Sequence, residues 1–148
     1  MDKIKARLPG GVGLEVWWQD EARIGQKNRI TRRWAGRGTR PRAAHDQRTK
    51  WAYIFGAICP EEGKGAGLIL PGRLEVPANI SLLPLPPRAP ELNPMEKVWQ
   101  FMRDNWLSNR VFASRDDIVA HCCDAWNKLV EQPWTIMSIG LRDWANGF

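Results

Sequence analysis

Strands first and helices after place this sequence in the α+β (α/β) class. The first half holds β-branched and aromatic runs bounded by Gly-rich turns. From residue 93 onward, apolar residues recur at helical spacing. Between the two lies a short apolar run stopped by prolines. At 148 residues the chain is long enough for one domain with a real core and too short for two comfortable ones.

The elements follow in order. "LEVWWQDEARIG" (14–25) reads as a strand carrying Asp20 at its end, and "RRWAGRGTRP" (32–41) as a short strand or turn. "TKWAYIFGAICP" (49–60) is a second strand, "EEGKG" (61–65) a hairpin turn, and "AGLILPG" (66–72) the returning strand. Together they predict a three-stranded antiparallel meander. "NISLLPLPP" (79–87) is expected as a short edge strand. Asn93, Pro94 and Glu96 then take the N-cap, first and third positions of a helix, the arrangement of a capping box. Met95, Val98, Trp99, Met102 and Trp106 define its buried face. A second helix opens at Ser114 with Asp117 completing its cap, and buries Ile118, Val119, Cys122, Trp126, Leu129 and Val130. A short third helix after Pro133 uses Ile136, Ile139 and Trp144.

The apolar share of 43% and charged share of 26% are those of a soluble globular protein. No run of 18 apolar residues and no signal-peptide core exist, which predicts a cytoplasmic protein. Cys59, Cys122 and Cys123 fit a reducing compartment and lack metal-site spacing, so they read as small buried hydrophobes or bystanders.

The net charge of +6 is concentrated: residues 22–50 hold ten Lys/Arg against Asp46 alone, a net +9. Such a block is the footprint of a polyanion binder, and its Arg excess suits bidentate phosphate contacts. Arg23, Lys27, Arg29, Arg32, Arg33, Arg37, Arg40 and Arg42 are the candidate DNA contacts, with Trp34 the candidate for stacking on a base. A solvated loop charged for solubility is the competing reading.

Phosphodiester chemistry needs an activated water or hydroxyl and a stabilised leaving oxygen, work done by Mg²⁺ ions on carboxylates. Asp20 on a strand and Glu96 on a helix, beside an Arg-rich surface, are suitable parts. On the residues alone, Glu96 serves equally as a cap and Asp20 as a turn residue.

"WWQDEARIGQ", "TRRWAGRGTRP", "WAYIFGAICPEEGKGAGLIL" and "LLPLPPRAPELNPMEKVWQFMRDNW" resemble the bacterial insertion-sequence transposases of the mariner superfamily, in the same order and over nearly the whole chain. The resemblance implies a ribonuclease H-like fold that cuts and rejoins DNA with an Asp-Asp-Glu triad holding Mg²⁺. By matching motif, Asp20 is the first Asp and Glu96 the Glu, while Glu21 points to the opposite face of its strand. The second Asp is missing. Between Leu70 and Pro77 stand six residues, "PGRLEV", where the family carries several dozen with a helix and the Asp-bearing strand. The resemblance therefore implies one partial catalytic domain with an internal deletion near 70–77, an incomplete ribonuclease H-like fold and no N-terminal helix-turn-helix domain. Glu62, Asp46 and Glu75 are poor substitutes for the lost acid.

Two functional expectations stay open. One is an inactive relic of a DNA strand transferase with weak or no Mg²⁺ binding. The other is a non-enzymatic, nucleoid-associated DNA binder acting through its Arg block, alone, with itself or with full-length transposase. The lost segment also predicts uncovered apolar surface.

Overall fold

Three antiparallel strands and three helices form the computed structural model, which describes residues 13–27, 34–39, 48–69, 77–87 and 89–141. Strand β1 (Trp18–Gly25) pairs with β2 (Trp51–Cys59), and β2 with β3 (Lys64–Leu68), giving the sheet order β1-β2-β3. The expected meander forms because side chains alternate. Ala22, Ile24, Ala52, Ile54 and Ile58 are buried beneath the helices, whereas Glu21, Arg23 and Trp51 are exposed. β1 begins at Trp18, so Asp20 is its third residue rather than its last. The β2–β3 connection closes with the Gly63 N–H donating to the Pro60 carbonyl at 3.4 Å. Gly63 takes φ +62°, a conformation that favours glycine.

Helix α1 (Met95–Met102) runs into a wide π turn (Arg103–Leu107), where the Ser108 N–H reaches the Arg103 carbonyl at 2.8 Å. Asn109, at φ 59°, ends it. Helix α2 (Arg115–Val130) starts at Ser114, whose Oγ accepts the Asp117 N–H at 3.1 Å. Asp117 Oδ2 returns the favour one residue earlier than the expected cap, accepting the Ala113 N–H at 2.8 Å. Helix α3 (Pro133–Gly140) follows, and Trp144 lies outside the described residues.

The predicted helix faces form the core: Met95, Val98, Trp99 and Met102 of α1 pack with Ile118, Cys122, Trp126 and Leu129 of α2 and Ile136 of α3. Trp106 sits at the margin, half-buried, edge-on to Phe101 at 5.2 Å between centroids. All three helices cover the same face of the sheet, the side to which Ile54 and Ile58 point.

The short strand expected at 79–87 does not form. Residues 77–87 are exposed and form no strand or helix, with the Ile80 N–H turned back to the Pro77 carbonyl at 3.0 Å. Pro84, Pro86 and Pro87 have no N–H to give a ladder. Ile80, Leu82 and Leu83 are more than half exposed.

Candidate functional site

β1, which carries Asp20, passes under the start of α1, which carries Glu96. Two contacts fix the junction. Asn93 Nδ2 donates to the Gln19 carbonyl at 3.2 Å, and the Trp99 indole Nε1 donates to Asp20 Oδ2 at 3.1 Å. Trp99 follows Glu96 by three residues, so the two share one side of α1 with Cβ atoms about 5–6 Å apart. The helix side chain that grips Asp20 is thus one turn from Glu96.

Glu96 does not close a capping box. Asn93 caps the helix with its side chain, Oδ1 accepting the Met95 N–H at 3.1 Å. Its own N–H is already given to the Pro90 carbonyl at 3.0 Å, in the 3-10 turn Pro90–Leu92. The Glu96 side chain is exposed and, among the described residues, has no hydrogen-bond or ion-pair partner. The capping reading is therefore set aside. Asp20 is half-buried, and Glu21 faces solvent on the other side of β1.

Among the described residues, no group of three His, Cys, Asp or Glu side chains converges as metal ligands would. Glu62 sits in the β2–β3 turn, 3.7 Å from Lys64 Nζ. Asp20 pairs with Gly56, three residues (about 10 Å) short of the end of β2. Asp46 and Glu75 lie outside the described residues.

Of the proposed DNA contacts, Arg23, Lys27, Trp34 and Arg37 are exposed, Trp34 completely. Trp34 and Arg37 flank and enter a tight turn in which the Thr39 N–H and Oγ1 both donate to the Gly36 carbonyl, at 3.0 and 2.6 Å. Arg29, Arg32, Arg33, Arg40 and Arg42 lie outside the described residues. Arg48, a member of the same basic block, has a structural task instead. Its guanidinium donates to the Phe112 and Ala113 carbonyls at 2.8 and 3.2 Å.

Several supporting residues escaped the sequence reading. Gly56 and Gly67 make a slot for two indoles. A Cβ on Gly56 would stand 2.6 Å from Trp99 and 2.7 Å from Trp126, and one on Gly67 2.6 Å from Trp126. The rings of Trp99 and Trp126 lie 5.7 Å apart over these glycines. A glycine inside an apolar strand was the available signal for such a close approach. Gln26 was also missed. Buried at the end of β1, it donates through Nε2 to the Phe112 carbonyl at 2.8 Å and accepts the Lys50 N–H at 3.3 Å. No sequence pattern marks that role.

Burial pushes the Cys122 thiol up to about 12 and raises that of Cys59, while Cys123 is exposed. No helix among the described residues is long and apolar enough to cross a membrane.

Residues 73–119, which include Glu96 and Trp99, match the DDE superfamily endonuclease family. The uncharacterized protein y4pE/y4sA of Sinorhizobium fredii is 56% identical over 132 residues, covering 65% of this chain and 98% of that protein. The chain belongs to the same family as this rhizobial protein and carries, within residues 73–119, part of a DDE superfamily endonuclease domain.

Proposed function

We propose that the chain is a partial, internally deleted transposase catalytic domain of the mariner superfamily that handles DNA without cutting it. The observation that carries this reading is the Trp99–Asp20 hydrogen bond, which holds the strand carboxylate one turn from an unpartnered Glu96. The match of residues 73–119 to DDE endonucleases supports it, because that stretch contains Glu96.

The donor set decides the chemistry. Asp20 Oδ1 and both Glu96 oxygens have no hydrogen-bond partner among the described residues, and hard carboxylate oxygens suit Mg²⁺. Such an ion, when bound, would polarise a phosphoryl oxygen. Mg²⁺ accepts one or two carboxylates while keeping its waters, so this pair fits a single weakly held ion. The pair of ions about 3.5–4 Å apart needs bridging acids, and the "PGRLEV" segment supplies no Asp. Asp20 and Glu96 would hold one such cation beside DNA, too little for strand transfer. The test is nicking of supercoiled plasmid and of a duplex with Mg²⁺ or Mn²⁺. The expected result is no cleavage; cleavage abolished by Glu96→Gln would overturn the inactivity.

A second reading rests on the exposure of Arg23, Lys27 and Arg37, none of which has an ion-pair partner among the described residues. In it the chain binds duplex DNA through its basic stretch, alone or together with full-length transposase. A logarithm of affinity that falls linearly with log salt supports backbone binding, and no binding at low salt eliminates it.

A further inference from the structure

All three helices pack on one face of the sheet, and the opposite face carries aromatic residues in sequence along its central strand. Trp51, Tyr53 and Phe55 alternate outward from β2 with ring centroids 4.9 and 6.5 Å apart. Trp51 is 46% exposed, and Leu68, opposite Phe55 on β3, is 44% exposed. Outward residues of a strand repeat about every 6.8 Å, close to the spacing of bases in an extended single strand.

The charges on this face are graded. Arg23 stands directly opposite Tyr53 on β1. At the Trp51 end of the hairpin Lys27 is exposed, on the alternate side from the buried Gln26 that precedes it. Arg23 and Lys27 have no carboxylate partner among the described residues. The acids sit at the other end: Glu21 opposite Phe55, and Glu15 paired with Lys64 at 2.6 Å. Cations therefore gather around Trp51 and Tyr53, and anions begin at Phe55.

We infer that Trp51 and Tyr53 form a stacking platform for single-stranded DNA, with Arg23 and Lys27 neutralising the adjacent phosphates. The aromatic faces accept any base, so the site selects unpaired strands without reading sequence. The charge gradient centres the site on Trp51 and Tyr53 and leaves Phe55 at its margin. A site of this kind would receive strands exposed during DNA rearrangement. The inference rests on the DNA-handling reading but not on any catalytic role for Asp20 or Glu96.

The test is fluorescence anisotropy with three labelled probes at fixed salt: a dT oligonucleotide, an abasic oligonucleotide of equal length, and a duplex. The unmodified chain should bind dT more tightly than the abasic strand. Trp51→Ala should weaken dT binding roughly fivefold to 100-fold and leave the abasic strand unchanged. Tyr53→Leu, which keeps the apolar volume, should act in the same direction with unaltered circular dichroism. Equal affinity for dT and abasic strands overturns the inference. So does a preference for dT that survives both substitutions and disappears with Trp34→Ala. Duplex binding without any preference for bases would refute the platform and spare the DNA-handling reading. Failure to bind all three probes would remove both.

Discussion

Replacing Gly56 by alanine probes the junction on which Asp20 depends. The new methyl would lie 2.6 Å from Trp99 Cη2 and 2.7 and 2.8 Å from Trp126 Cη2 and Cζ3. Carbon atoms settle at about 3.5–4.0 Å, so both indoles must give way by about 1 Å. Trp99 is 3% exposed and Trp126 7%, and neighbours close off the escape route. Overpacking of this size costs about 1–3 kcal/mol. In a chain of about 150 residues, that lowers Tm by about 3–10 °C. The same displacement carries Trp99 Nε1 away from Asp20 Oδ2, now 3.1 Å apart, and should change the near-ultraviolet circular dichroism. Gly13→Ala is the control, since a Cβ there meets nothing within 4 Å. At an unstrained strand position, Gly→Ala alone would stabilise by about 0.4–1 kcal/mol through the unfolded chain, so the sign is informative. A Gly56→Ala protein as stable as the parent, with unchanged near-ultraviolet signal, would refute the indole slot.

Three further outcomes are expected. Gln26→Leu strands the Lys50 N–H and removes one donor from the Phe112 carbonyl, which keeps Arg48 at 2.8 Å. Urea unfolding should show a loss of about 1–3 kcal/mol with unchanged m-value, and an unaltered midpoint would contradict it. In thiol titration of the native protein, exposed Cys123 should react fast, while Cys59 and Cys122, both buried with raised thiol pKa, wait for denaturant. A second fast thiol would contradict the burial of Cys59 or Cys122. The Lys64 ammonium holds the Glu15 carboxyl below its ordinary 4.5. A depressed folded value means that the pair's stabilisation is present above 4.5 and fades as pH falls through the folded value. The Tm difference between the parent and Glu15→Gln should therefore be small and shrink from about pH 6 to about pH 3; a widening gap would contradict the pairing.

The strands and helix faces were legible in the sequence because burial repeats with the period of each element. β2 alternates as its composition predicts, and the stripe Met95, Val98, Trp99, Met102 is buried throughout. Asp20 and Glu96 were placed by motif, and the structure brings their elements together through Asn93 and Trp99. The misses have physical reasons. An apolar run reads as a strand whether or not a neighbour offers hydrogen bonds, and "NISLLPLPP" finds none while its prolines cannot donate. Glu96 at the third helical position suggested a capping box, but the Pro90–Leu92 turn had already taken the Asn93 N–H. Trp99 was read correctly as core, yet its indole N–H has a second task that spacing alone does not reveal. Long-range ties such as Gln26 to Phe112 join residues 86 apart and leave no local trace.

Titration calorimetry with Mn²⁺ on the parent, Asp20→Asn and Glu96→Gln proteins addresses the two-carboxylate corner most directly. One weakly bound ion, lost in each variant, is the outcome the proposed function predicts. Two tightly held ions, or binding indifferent to both substitutions, would mean that other donors complete the site and that the chain retains the metal centre denied to it here.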